Sequence, residues 1–88
     1  MDPYKITIKP SVGKDIHGLT VNLVTRILET IESLATEPFS SGVVKLAGSD
    51  KIFRIRVGEY RIIYKFTSTE KLIEVLPVRH RRDVYRKL

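Results

Sequence analysis

The 88-residue chain contains no cysteine, which removes disulfides, thiolate nucleophiles and cysteine zinc sites together and points to a reducing compartment, the cytoplasm. Its start, Met1-Asp2-Pro3-Tyr4, is not a basic stretch followed by an apolar run. Nowhere do about eighteen apolar residues follow one another, so neither a secretion signal, a membrane span nor a membrane partner is expected. A glycine-rich phosphate loop, GxGxxG, HExxH and a carboxylate cluster suited to magnesium are all missing. The two histidines, His17 and His80, lie far apart, so no metal site and no cofactor are expected, and any hydrolytic chemistry should be metal-free. There is no internal repeat and no low-complexity tract. With 42% hydrophobic and 30% charged residues, the chain is too apolar for a disordered tail. At this length a second core would have almost nothing to bury, so residues 1–88 are expected to form one domain.

What the chain has in excess is positive charge in its second half. Residues 1–44 hold four Lys/Arg against five Asp/Glu, and residues 45–88 hold twelve against five, for a net charge of +6. Such a balance points to polyanionic partners.

Polar and apolar residues alternate over Tyr4-Lys5-Ile6-Thr7-Ile8-Lys9, with β-branched residues inside, which predicts a half-buried strand ended by Pro10. Ser11 is a candidate cap for a short helix that Gly18 would stop. Val24, Ile27, Leu28, Ile31, Leu34 and Ala35 recur at three- and four-residue spacing, predicting an amphipathic helix from Thr20 to about Thr36, with Pro38 forbidding continuation. Residues 39–42 and 47–50 read as loops.

From residue 51 the period changes to two. Phe53, Ile55 and Val57 share one face of a strand, with Arg54 and Arg56 on the other. Tyr60, Ile62, Tyr64 and Phe66 likewise oppose Arg61, Ile63 and Lys65. Only Gly58-Glu59 separates the two, and glycine first suits a two-residue type II′ turn. That turn pairs 57 with 60, 56 with 61, 55 with 62, 54 with 63 and 53 with 64, so apolar residues meet apolar residues on the core face. A third strand is expected over Lys71 to Val78, where Pro77 implies an edge position or a bulge.

The same register sets Arg56 opposite Arg61, with side chains starting roughly 5 Å apart, and Arg54 two residues along. Like charges so placed repel one another. Their convergence indicates either a site for an anion such as phosphate, which arginine binds bidentately, or an ordinary solvated face neutralised by Glu59 or Glu74. The C-terminal run Arg79-His80-Arg81-Arg82-Asp83-Val84-Tyr85-Arg86-Lys87-Leu88 is open to two readings as well. It is a solvated basic tail, or its imidazole, phenol and guanidiniums serve phosphodiester chemistry and RNA stacking.

Taken together, Lys45-Leu46-Ala47-Gly48, Phe53-Arg54-Ile55-Arg56-Val57-Gly58-Glu59-Tyr60-Arg61-Ile62-Ile63-Tyr64 and His80-Arg81-Arg82-Asp83-Val84-Tyr85 resemble the RelE family of toxin–antitoxin toxins, over the whole chain in length and element order. The resemblance implies a small α+β domain, an N-terminal strand and helices packed on an antiparallel β-sheet. It also implies a ribosome-dependent endoribonuclease that cuts messenger RNA in the decoding site and is neutralised by a cognate, RelB-like antitoxin. By the same resemblance Arg54 and Arg56 take the family's two basic strand positions, Arg61 its transition-state arginine, Arg81 its C-terminal arginine and Tyr85 its terminal tyrosine. Well-known members carry lysine where this chain has Arg54 and Arg56, and a guanidinium is a poor proton acceptor. His80 is an acid–base candidate because imidazole ordinarily titrates near neutrality; it is equally a candidate for a structural role. Lys45, Lys51, Lys65, Arg79, Arg82 and Arg86 would bind RNA and ribosomal phosphates in a salt-dependent way. An acidic, partly disordered antitoxin segment wrapping the toxin would complement this surface.

Two other functions fit parts of the pattern. The ParE branch of the same fold inhibits DNA gyrase without nuclease activity, and its C-terminal segment can read like His80-Arg81-Arg82-Asp83, but it generally lacks the set Arg54, Arg56, Arg61 and Tyr85. A plain RNA-binding module would use the basic sheet without cutting.

Overall fold

A computed structural model describes residues 3–40, 42–46, 48 and 50–80. In chain order the elements are β1 (Lys5–Ile8), α1 (Ser11–Ile16), α2 (Val21–Ser33), β2 (Val43–Lys45), β3 (Ile52–Val57), β4 (Tyr60–Thr67) and β5 (Leu72–His80). The strands form one five-stranded sheet in the order β1-β5-β4-β3-β2. This is the expected α+β class, with helices packed on a mainly antiparallel sheet. The exception is β1, which joins β5 in parallel, with Ile6 beside Ile73 and Ile8 beside Val75.

The main helix begins where Thr20, in an extended conformation, turns its hydroxyl back to accept the Leu23 N–H at 3.3 Å. That bond satisfies one of the amides a helix start leaves unpaired. Ile27 and Ile31 point into the core, followed by Leu34 just past the last helical residue. Leu28, expected on the same stripe, is 44% exposed; the buried stripe is narrower than the six-residue pattern predicts. In α1 the capping position belongs to Pro10, not Ser11, and no side chain bonds the helix start. Val12 is the residue α1 buries.

The β3–β4 hairpin has the expected register at all five pairs from Phe53–Tyr64 to Val57–Tyr60. Gly58 has φ +58° and Glu59 is not in the left-handed region, so only the first central residue of the turn needs positive φ, as type II′ requires. The strand β2 was not foreseen: Val43, Val44 and Lys45 pair with Ile55, Arg54 and Phe53 along the outer edge of β3. On the other side, β5 lies between β4 and β1. Pro77 is therefore not on an edge strand, and the bulge is the alternative realised. Ile62 pairs with Val78 and Tyr64 with Val75, so Leu76 and Pro77 together oppose Ile63. The missing proline N–H costs no ladder bond there.

One face of the sheet carries the core. Val12, Ile27, Ile31 and Leu34 pack on Ile55, Val57, Ile62, Tyr64, Ile73, Val75 and Val78. Each fully buried isoleucine or leucine contributes about 1.5–3 kcal/mol. Tyr64 is fully buried and donates its hydroxyl hydrogen to the Pro38 carbonyl, tying the segment after α2 to the centre of the sheet. Burial pushes the Tyr64 phenol up from 10.0 to about 12. Across β4, Ile63 is 1% exposed on the opposite face, outside this cluster.

Candidate nucleic-acid interface

The face of the sheet turned away from the helices carries the arginines. Cross-strand pairing aligns Arg56 on β3, Arg61 on β4 and Arg79 on β5 in one row, since Arg61 is the partner of both others. Partners in a ladder point to the same side, so three guanidinium stems stand side by side. Arg54 lies two residues further along β3, between Val44 and Ile63. Gly42, Val44, Arg54, Arg56 and Arg61 line a depression of about 160 Å³. The three arginines that the hairpin register predicted to converge thus border one concavity.

Backbone contacts aim two of these side chains. Arg56 donates from Nε to the Gly58 carbonyl at 3.2 Å, and Arg61 donates from Nη1 to the Tyr60 carbonyl at 3.2 Å. A guanidinium has five N–H donors, so one such bond fixes its direction and leaves the others for an anion. Arg54 and Arg61 are half-buried while Arg56 is exposed. Partial burial strengthens the field these charges create, because less water screens it. The arrangement is self-repelling without a counter-charge, and a phosphodiester fits it in both charge and fork geometry.

Arg79 has a fixed counter-ion. Asp15 Oδ1 accepts from Arg79 Nη1 at 2.9 Å, while Asp15 Oδ2 accepts the Val78 N–H at 3.0 Å. The Asp15 side chain is only 13% exposed, so α1 delivers a largely desolvated carboxylate to the end of the arginine row. Sequence reasoning missed Asp15. It stands in a six-residue helix, and nothing local marks it as the partner of a strand more than sixty residues away.

The remaining candidates do not all gather here. His80 pairs with Tyr60, which packs on the helix-side core, and the two rings meet edge to face at 5.3 Å. His80 is therefore on the opposite side of the sheet from Arg54, Arg56 and Arg61. Lys45 lies opposite Phe53 on that same helix side and forms an exposed 3.6 Å ion pair with Asp50; such a pair contributes little. Lys65 is on the arginine face, but between Ile52 and Glu74 at its far end. Lys51 is exposed just before β3. Arg81, Arg82, Tyr85 and Arg86 lie outside the described residues. Among the described residues no three metal-ligating side chains come together, and no helix is long and apolar enough to cross a membrane.

Comparison with known proteins gives this geometry a family. A sequence model described as the ParE toxin of the type II toxin–antitoxin system parDE matches residues 6–85. The toxin RelG of Mycobacterium tuberculosis is 29% identical over 89 aligned positions, covering 97% of this chain and 99% of that protein. Among solved structures, the archaeal RelE–RelB complex from Pyrococcus horikoshii matches with TM-score 0.80 and 31% identity, over 90% of this chain and 96% of that one. The RelB–RelE antitoxin–toxin complex from Methanococcus jannaschii matches in fold with TM-score 0.74 at 24% identity, over 92% and 96%. With its helices on one side of the sheet and its arginines on the other, the chain belongs to the RelE/ParE family of type II toxin–antitoxin toxins.

Proposed function

We propose that this toxin is a ribosome-dependent endoribonuclease that cuts messenger RNA in the decoding site and so arrests translation in the cytoplasm. The observation that carries the reading is the depression bordered by Arg54, Arg56 and Arg61. Cleavage without a metal proceeds by attack of a ribose 2′-hydroxyl on the adjacent phosphate while a base takes the hydroxyl proton. The new 2′-oxygen–phosphorus bond forms as the bond to the 5′ oxygen breaks, with extra negative charge on the phosphoryl oxygens in between. Arg56 and Arg61, held by backbone carbonyls, stabilise that charge, each contributing roughly 3 kcal/mol on the scale of oxyanion donors. Arg54 holds the phosphate from the neighbouring position. The leaving 5′ oxygen takes its proton from Arg81, and Tyr85 stacks on or orients a base.

Guanidiniums are weak proton acceptors, so this chain draws more of its rate from positioning than from a strong general base. A ribosome that holds the message in a near-attack geometry supplies that positioning. Lys65, Arg79 and the basic residues Arg82 and Arg86 then contact RNA phosphates in a salt-dependent manner. The partner that silences the toxin is a RelB-like antitoxin, as in the Pyrococcus horikoshii complex, with an acidic segment complementing the +6 chain.

The test is induction of the wild type and of Arg61→Ala in separate bacterial cultures, with primer extension on a translated message and on the same message lacking a start codon. Growth arrest with cuts only in the translated message, lost in the variant, is the expected result. The family description over residues 6–85 keeps a second reading alive, a gyrase inhibitor of the ParE type. Arrest without cuts, accompanied by DNA-damage signalling, would establish that reading instead.

A further inference from the structure

Arg56 borders two concavities. Besides the three-arginine depression, it lines a second one of about 270 Å³ with Val57 and, from α2, Arg26, Glu29, Thr30 and Ser33. The two concavities share Arg56, two residues before the turn glycine. Arg56 Nε bonds the Gly58 carbonyl. From the other side, Arg26 Nη1 lies 4.0 Å from the point where a Gly58 Cβ would stand. Gly58 thus has one guanidinium bonded to its carbonyl and another nearby, supplied by β3 and α2.

The rest of the second concavity is chemically simple. The hydroxyls of Thr30 and Ser33 are spent on helix carbonyls, donating to Arg26 O and Thr30 O at 2.7 Å each. Two exposed cations and one exposed carboxylate, Glu29, remain to meet a ligand. A bare phosphate would be drawn by Arg26 and Arg56 and repelled by Glu29. A ribonucleotide unit satisfies all three, with its phosphate between the arginines and its ribose 2′-hydroxyl donating to Glu29. An acidic peptide would bring a carboxylate to the cations but has no hydroxyl at a fixed offset for Glu29.

We infer that the RNA strand bound in the three-arginine depression continues past Arg56 over the β3–β4 turn onto α2, where Arg26 holds a flanking backbone phosphate and Glu29 accepts from its ribose. The inference rests on the RNA reading of the arginine depression and extends it by one nucleotide subsite.

The experiment is fluorescence anisotropy of an eight-nucleotide single-stranded RNA with the full chain between 50 and 200 mM salt. Each phosphate contact on a single strand contributes about 0.7 to the slope of log K against log salt. Arg26→Gln is expected to lower that slope by about 0.7 and weaken binding several-fold at 50 mM, while Arg26→Lys keeps the slope. Glu29→Ala is expected to reduce the preference for RNA over the same DNA sequence. Arg26 is exposed and glutamine is a good helix former, so a matching thermal melt separates lost contact from lost fold. An unchanged slope in Arg26→Gln, with Arg61→Ala still weakening binding, overturns the flanking subsite and leaves the three-arginine site standing. RNA binding absent from the wild type, or indifferent to Arg61→Ala, overturns both. If Arg26→Gln weakens binding of the antitoxin and not of RNA, the concavity belongs to the antitoxin and the inference fails.

Discussion

Asp15 and Arg79 are joined by a 2.9 Å ion pair between α1 and β5, and the second oxygen of the same carboxylate accepts the Val78 N–H. One side chain thus satisfies a backbone amide at the bulged end of β5 and holds the last guanidinium of the arginine row. The two bonds contribute unequally. Arg79 is 46% exposed, so its Coulombic share is small, whereas an orphaned Val78 amide bears a desolvation cost.

Asp15→Ala is expected to lower unfolding free energy by about 1–3 kcal/mol, the cost of leaving a buried donor without a partner. Asp15→Asn keeps an acceptor for Val78 N–H and should lose about 1 kcal/mol or less. Urea denaturation of the three proteins checks the order. Equal loss in both variants would assign the stabilisation to the ion pair instead.

Substitution of Gly58 tests the turn. At φ +58° an L side chain is strained, and its Cβ would stand at ordinary contact distance from Leu23 and Arg26, so strain and not collision sets the cost. Gly58→Ala should destabilise by about 1–2 kcal/mol. Gly58→Asn, which tolerates the left-handed region better, should cost less. Thermal melts of both read the difference.

The buried Tyr64 phenol gives the fold an alkaline limit. Its pKa is pushed up from 10.0 to about 12 by burial, so the folded state keeps a proton that the unfolded chain releases earlier. Below pH 10 the Tyr64 contribution is fully present; it is lost as pH rises from about 10 towards 12. Tyr64→Phe should flatten the stability profile in that window and, by stranding the Pro38 carbonyl, lower stability by about 1–2 kcal/mol near neutrality. Denaturant midpoints measured from pH 8 to 11.5 would show whether the two curves converge.

At the arginine row, charge and fork geometry are separable. Arg61→Lys keeps a cation but not the planar pair of donors. It is expected to retain salt-dependent RNA binding while losing roughly tenfold to a hundredfold in messenger cleavage, whereas Arg61→Ala loses both. Primer extension on purified translating ribosomes, paired with the binding assay, measures the split. Full cleavage by Arg61→Lys would show that a point charge suffices.

The β3–β4 hairpin and its arginines were legible because parity and turn chemistry are local: Gly58 fixed the register, and the register fixed the convergence of Arg54, Arg56 and Arg61. The α2 core stripe was legible for the same reason, although Leu28 shows that spacing alone overstates the width of a buried face. What stayed hidden was long-range. Three residues, Val43 to Lys45, carry too little pattern to announce β2, and the parallel docking of β1 on β5 is decided by packing across the whole chain. Asp15 found its partners only once α1 came to rest beside β5.

The extra residue at Leu76 and Pro77 works as a phase shifter. Val75 faces the helices, so strict alternation would also turn Pro77 and Arg79 to the helix side and His80 to the arginines. The pairing of Val78 with Ile62 advances the alternation by one, which exchanges the two faces for everything that follows. Which side chain completes the row, the Arg79 guanidinium instead of the His80 imidazole, is therefore decided by a single backbone irregularity three residues upstream of His80. A one-residue deletion at that point would leave both side chains where they are, because it removes the extra residue and restores regular pairing with Val78 still opposite Ile62. Only flattening the bulge with both residues kept would exchange Arg79 and His80.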